Sequence, residues 1–142
     1  MALKISTKGR YALRVLADLA THDNGDYISL KTVAERQEIS EKYLEQIVAV
    51  LNKAGLVKSL RGAKGGYLLS EPPESYTVGR ILKTIEGCMT PVEDVGYEEN
   101  PADRVSRIVW DKLEEAINGV LEGITLADLL EWYNEMNIDY CI

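Results

Sequence analysis

The chain has 142 residues, 46% of them hydrophobic and 27% charged, with a formal net charge of −7. That is the composition of a folded domain with a modest core, and it excludes both a disordered chain and two large independent domains. No apolar run approaches the ~20 residues that cross a bilayer, and Met1-Ala2-Leu3-Lys4-Ile5 is charged too early for a secretory signal, so the sequence predicts a cytoplasmic protein with no membrane partner. The charge is divided, with 11 Lys/Arg against 7 Asp/Glu in residues 1–70 and 5 against 16 in residues 71–142. A basic half joined to an acidic half points to nucleic acid at one end of the molecule.

Ser6 or Thr7 is placed to cap a first helix, along which Tyr11, Ala12, Val15, Leu16, Leu19 and Ala20 recur at helical spacing until Asp23-Asn24-Gly25-Asp26 ends it. Ser29 opens a second helix of about two turns with Leu30, Val33 and Ala34 inward. Ser40 opens a third, which runs to Ala54 and stops at Gly55. Two helices separated by so short a turn form a helix-turn-helix. Leu44, Ile47, Val48 and Leu51 give the third helix a core face, while Lys42, Glu45, Gln46, Ala49 and Lys53 form the opposite stripe. Val57–Leu60 and Tyr67–Ser70 read as strands joined by a loop containing Arg61, Lys64 and glycines. Three helices followed by a hairpin are the order of a winged helix.

Beyond Glu71-Pro72-Pro73, a boundary with little helix potential, Val78–Glu86 forms a short helix with Ile81, Leu82 and Ile85 inward. Residues 87–100, with Glu93, Asp94, Glu98 and Glu99, read as an acidic linker loop. Asn100 and Pro101 start a helix that reaches Glu122, about 33 Å at 1.5 Å per residue. Its wide stripe of Val105, Ile108, Val109, Leu113, Ala116, Ile117, Val120, Leu121 and Ile124 exceeds what so small a domain can cover, so this helix is expected to pair the chain as a homodimer. Thr125 and Asp128 resemble a capping box that opens a last helix through Leu129, Leu130 and Trp132, followed by a tail from Ile138 to Ile142. The expected protein is mainly α with a small β wing. It divides into a winged-helix DNA-binding domain (1–86), a linker (87–100), and a dimerisation helix with C-terminal tail (101–142).

On the free stripe of the third helix, Glu45 can accept from cytosine N4, Gln46 can pair with adenine, and Lys42 lies near the groove edge. Arg61 and Lys64 on the hairpin suit the minor groove and adjacent phosphates, and Lys53 ends the stripe as a further phosphate ligand. Catalysis has no comparable support. The loop 62–66 lacks phosphate-loop spacing and precedes a strand, and the single histidine, His22, reads as a helix-end residue. Cys88 and Cys141 are too few for a disulfide framework and too far apart for a paired metal motif, so neither metal nor cofactor is expected. Cys88 is read as structural, with a redox-sensitive thiol as the alternative.

Four separated segments carry a family resemblance: Ile5–Leu13 (Ile-Ser-Thr-Lys-Gly-Arg-Tyr-Ala-Leu), Tyr43–Ile47, Ala54–Leu69 across the hairpin, and Val78–Leu82. In this order they resemble the Rrf-type winged-helix transcription regulators, the IscR/CymR family, over nearly the whole chain. The resemblance implies a sequence-specific DNA-binding repressor acting on double-stranded DNA, with Lys4, Thr7, Lys8 and Tyr11 as phosphate contacts aided by the first helix's N-terminus; Tyr11 is equally suited to the core. Glu86-Gly87, Thr90–Glu93 and the aromatic tail are similar to the family's cysteine-metabolism branch. In the cluster-binding branch three cysteines stand between the short helix and the long one, whereas this chain has only Cys88 there. The branch further implies cysteine synthase as a partner, with Ile142 entering that enzyme and Tyr140 at its mouth; the alternative is that both cover the partner subunit's long helix. An interaction module that keeps the winged helix but has lost DNA binding is the alternative to the repressor.

Overall fold

Serine begins each of the first three helices in the computed structural model, which describes residues 3–92 and 100–140, with backbone alone for 138–140. Ser6 caps α1 (Thr7–Thr21), Ser29 caps α2 (Leu30–Gln37) and Ser40 caps α3 (Glu41–Lys53), each hydroxyl accepting the backbone N–H three residues on. Glu38 closes α2 in the left-handed region at φ 55°, and this lets the chain turn into α3 within three residues.

The wing is an antiparallel hairpin of β1 (Val57–Leu60) and β2 (Gly66–Leu69), with Val57 opposite Leu69 and Leu60 opposite Gly66. Its second strand begins and ends one residue before the predicted one. Ser70 lies just past the ladder, its N–H meeting the Tyr76 hydroxyl at 3.0 Å. Ile28 adds a bridge to the hairpin, exchanging both backbone hydrogen bonds with Tyr67 (3.0 and 2.8 Å). Gly66 is required at this crossing, because a Cβ there would stand 2.0 Å from the Ile28 carbonyl oxygen and its φ is +152°. The wing is therefore seated against the residues that lead into α2.

A turn of 3₁₀ helix at Pro73–Ser75 occupies the segment expected to have little helix potential; proline at its first position already has the φ a helical turn needs. Tyr76 follows, fully buried. Its hydroxyl donates to the Leu56 carbonyl (2.5 Å) and accepts from Ser70 N (3.0 Å) and Glu71 N (3.2 Å), tying the root of the wing to the end of α3. Then come α4 (Val78–Glu86), α5 (Pro101–Gly123) and α6 (Leu126–Tyr140). Asn100 caps α5 with Pro101 at its first position, and Thr125 and Asp128 exchange side-chain-to-backbone bonds at the start of α6 (2.9 and 3.2 Å). The last helix continues to Tyr140, through the start of the expected tail, since no glycine or proline interrupts the sequence after Gly123. Glu93, Asp94, Glu98 and Glu99 of the expected linker lie outside the described residues, as do Cys141 and Ile142.

The main core joins Leu16 and Leu19 of α1, Val33 of α2, Leu44, Ile47 and Leu51 of α3, Leu56, Tyr76 and Ile81. Leu126 of α6, fully buried, belongs to the same cluster, so the C-terminal helices are stitched into the winged helix rather than carried beside it. Val78 N to Ile124 O (2.9 Å) and Leu126 N to Tyr76 O (2.8 Å) complete that join. A second cluster holds Leu82, Met89 and Leu121 with Val78 and Ile117.

Candidate nucleic-acid interface

Burial of one face of α3 leaves Lys42, Glu45, Gln46, Ala49 and Lys53 exposed on the other, as the residue spacing predicts. Arg61 and Lys64 are exposed on the hairpin loop, where the Gly65 N–H bonds the Gly62 carbonyl (3.0 Å). None of Lys42, Glu45, Gln46, Arg61 or Lys64 makes a hydrogen bond or ion pair among the described residues. Their side-chain donors and acceptors face solvent from a helix packed on the core and a wing held by Ile28 and Tyr76, an arrangement able to hydrogen-bond base edges and phosphates without first breaking internal bonds.

The first turns of α1 lie beside the first turn of α3, since the Tyr11 and Tyr43 rings meet edge to face at 5.8 Å. Tyr11 is half-buried and packs against the core, so it serves packing whichever other role it has. Two cations absent from the sequence-based set flank it: the Arg10 and Arg14 guanidinium groups lie 5.9 and 5.0 Å from its ring. Arg14 also donates to the Gln37 side-chain oxygen (3.2 Å) and to the Gln37 carbonyl, joining α1 to the end of α2. Their i, i+4 spacing around Tyr11 was the sequence signal for this cluster. Lys4 and Thr7 are exposed and Lys8 is half-buried.

At the N-terminus of α1, Glu86, at the end of α4, holds the cap residue: its Oε1 accepts from Ser6 N (3.0 Å) and from the Ser6 hydroxyl, which in turn accepts from Gly9 N (3.0 Å). The carboxylate takes the cap residue's own donors, and the first helical N–H groups, those of Thr7 and Lys8, are not among them.

Behind the interface, Asp18 is a buried carboxylate. Arg36 donates to it through two nitrogens (3.0 and 2.6 Å), Gln37 through its amide (2.8 Å), and the His22 ring lies 2.9 Å from the Asp18 backbone carbonyl. The hydrogen bonds to Asp18 hold the Arg36 guanidinium above the usual arginine range. His22 is thus the helix-end residue that the sequence suggested.

The long helix uses its stripe in two parts. Leu121 is buried against Leu82 and Met89 of the same chain, with Ile117 alongside, so these two are committed within the protomer and do not belong to the free face expected of them. Val105, Ile108, Val109, Leu113 and Val120 remain exposed, from 44% at Leu113 to 67% at Val105. Cys88 is exposed. Among the described residues no helix is long and apolar enough to cross a membrane.

Residues 5–132 match the Rrf2 family, described as iron-dependent transcriptional regulators. The chain is 45% identical over 130 residues to the HTH-type transcriptional regulator CymR of Bacillus subtilis (strain 168), covering 92% of this chain and 91% of the relative. Among solved structures it is similar to that of CymR, the global cysteine regulator of B. subtilis, with a TM-score of 0.81, 45% identity and coverage of 92% and 98% of the two chains. The T. potens IscR structure aligns with a TM-score of 0.77 at 46% identity, covering 94% and 90%. The chain is a transcriptional regulator, not an enzyme, and belongs to the Rrf2 family.

Proposed function

We propose that the protein is a homodimeric, sequence-specific repressor that reads double-stranded DNA in the cytoplasm and controls genes of sulfur and cysteine metabolism. The observation that carries the DNA reading is the set of exposed side chains on α3 and the wing that have no partner among the described residues: Lys42, Glu45, Gln46, Arg61 and Lys64. Glu45 and Gln46 present an acceptor and an amide to base edges, Arg61 enters the groove beside them, and Lys4, Thr7, Lys8, Lys53 and Lys64 hold phosphates. Those retained polar groups favour this reading over an interaction module that has lost its DNA. The metabolic assignment is supported by similarity to the B. subtilis cysteine regulator.

Arg61→Ala is expected to cost about 1–3 kcal/mol of specific affinity and to relax discrimination at one position. Lys64→Ala is expected to weaken all sequences alike and to lower the salt slope by about 1. Fluorescence anisotropy across a salt series on a duplex selected from a random pool measures both. Wild-type affinity and slope in both variants would contradict the assignment.

We further propose that this member works without an iron-sulfur cluster. A [2Fe–2S] centre takes four ligands, mostly thiolates, whereas the whole chain has two cysteines and one histidine, and that histidine is held at the end of α1. Cys88 is exposed, and among the described residues no three His, Cys, Asp or Glu side chains gather as metal ligands. The residues present do not fit the cluster. Anaerobic reconstitution is expected to leave the protein colourless, and stoichiometric iron and sulfide would refute this. Cysteine synthase is proposed as the signalling partner through Ile142, by resemblance to the same branch; unchanged binding of that enzyme after deletion of Ile142 would exclude it.

A further inference from the structure

Helix α4 is gripped by a carboxylate at each end. Near its start, Glu122 of α5 accepts from the Thr77 hydroxyl (3.2 Å), and a Cβ on Gly79 would stand 2.5 Å from Glu122 Oε1; the same carboxylate also pairs with Nζ of Lys83 from the last turn (3.1 Å). At its end, Glu86 accepts both donors of Ser6, and a Cβ on Gly9 would stand 2.3 Å from Glu86 Oε1. Each junction thus pairs a carboxylate with a glycine whose missing side chain makes room for it. The chain of contacts runs from the long helix α5, through α4, to the first turn of α1.

Resting on the DNA-binding reading above, we infer that Glu86 is a positioning residue for DNA recognition, fixing through Ser6 the backbone from which Lys4, Thr7 and Lys8 reach phosphates. Ser6 sits between Lys4 and Thr7, so its anchoring decides where those side chains start. Its N–H and hydroxyl both end on one carboxylate oxygen 80 residues away, and its hydroxyl also caps the helix through Gly9 N. Both bonds need an acceptor oxygen at this reach, which a carboxylate or the amide oxygen of a glutamine can supply. Preorganised phosphate ligands spare the ordering cost of binding; released ones bear it for every contact. Because α4 is also held by α5, the joint ties the geometry of the DNA-contacting arm to the helix proposed to pair two subunits.

Four variants of the full chain test this against the duplex selected by the wild type. Glu86→Gln keeps an acceptor oxygen of the same reach, Glu86→Ala removes it, Ser6→Ala removes the hydroxyl, and Gly9→Ala wedges the carboxylate away while improving helix propensity. Expected are roughly tenfold weaker binding and a salt slope shallower by about 1 in the two alanine variants at Glu86 and Gly9, weaker binding in Ser6→Ala, and affinity within about twofold of wild type in Glu86→Gln. A purely structural role would move thermal stability and leave the salt slope of the folded fraction unchanged. Wild-type slope and affinity in the folded Glu86→Ala and Gly9→Ala proteins overturn the inference, as does tighter binding in Glu86→Gln and Glu86→Ala alike, which would make Glu86 only a charge repelling DNA. A wild-type protein that enriches no sequence from the pool overturns the DNA-binding reading itself, and the inference with it.

Discussion

Ile108→Glu combined with Val109→Glu is expected to leave a folded monomer whose DNA affinity is lower by roughly 100-fold or more, since the second half-site no longer binds as a linked event. Both positions lie on the exposed sector of α5, more than half accessible in the single chain. Together with Val105, Leu113 and Val120 they make an apolar strip along a helix about 34 Å long, a larger exposed feature than a stable monomer ordinarily carries. Two such strips packed against each other would bury four new carboxylates in the variant dimer, an unpaired charge burden that hydrophobic contact does not offset. The same change leaves Leu121 and Ile117 untouched, so the packing of α5 on α4 and the core around Leu126 persist. Sedimentation velocity checks the mass and circular dichroism the fold. A variant that remains dimeric would show that the exposed strip is not the interface.

The second large effect is on stability. Arg36→Ala is expected to cost about 3–5 kcal/mol, and Asp18→Ala about 2–3 kcal/mol, an order set by which partner is left stranded. The Asp18 side chain is fully buried, whereas that of Arg36 is 30% exposed. Removing Arg36 leaves a carboxylate inside the protein with the Gln37 amide at 2.8 Å and the His22 ring at 3.8 Å in place of a bidentate guanidinium; removing Asp18 frees a guanidinium that reaches water. The sign with pH follows from the raised Arg36 pKa: its contribution is complete below the usual arginine range and is lost only as pH climbs past it, so the arginine titration predicts no change between mildly acidic and neutral pH. Urea denaturation of both variants measures the difference, and a larger loss in Asp18→Ala would contradict the argument.

Local signals were the legible ones. Ser29, Ser40, Asn100 with Pro101, and Thr125 with Asp128 cap helices because a short polar side chain meets a backbone N–H two or three residues away, and that spacing is visible in the chain itself. The free stripe of α3 follows from helical periodicity alone. What stayed hidden depends on side chains brought together from afar: Asp18 with Arg36, Ser6 with Glu86, Tyr76 with Leu56, and Ile28 with Tyr67, separated by 18, 80, 20 and 39 residues. A lone Asp on the inner face of an amphipathic helix reads as an interruption until its arginine is found. Glu86 reads as an ordinary last-turn residue until α4 is laid against α1, and only then does its hold on the Ser6 cap come to light. The stripe on α5 reads as one surface because periodicity records that residues are apolar and not which neighbour covers them; Leu121 and Ile117 pack within the chain, whereas Val105, Ile108, Val109, Leu113 and Val120 stay exposed.

Methylation protection of guanine N7 on the selected duplex reports whether α3 occupies the major groove, where N7 lies. Two protected patches are expected, related by a two-fold axis and centred about one helical turn, ~34 Å, apart, both lost in the Ile108→Glu/Val109→Glu monomer at the same protein concentration. Absence of major-groove protection at saturating protein, or a single unsymmetrical patch that survives in the monomer, would contradict the proposed mode of DNA binding.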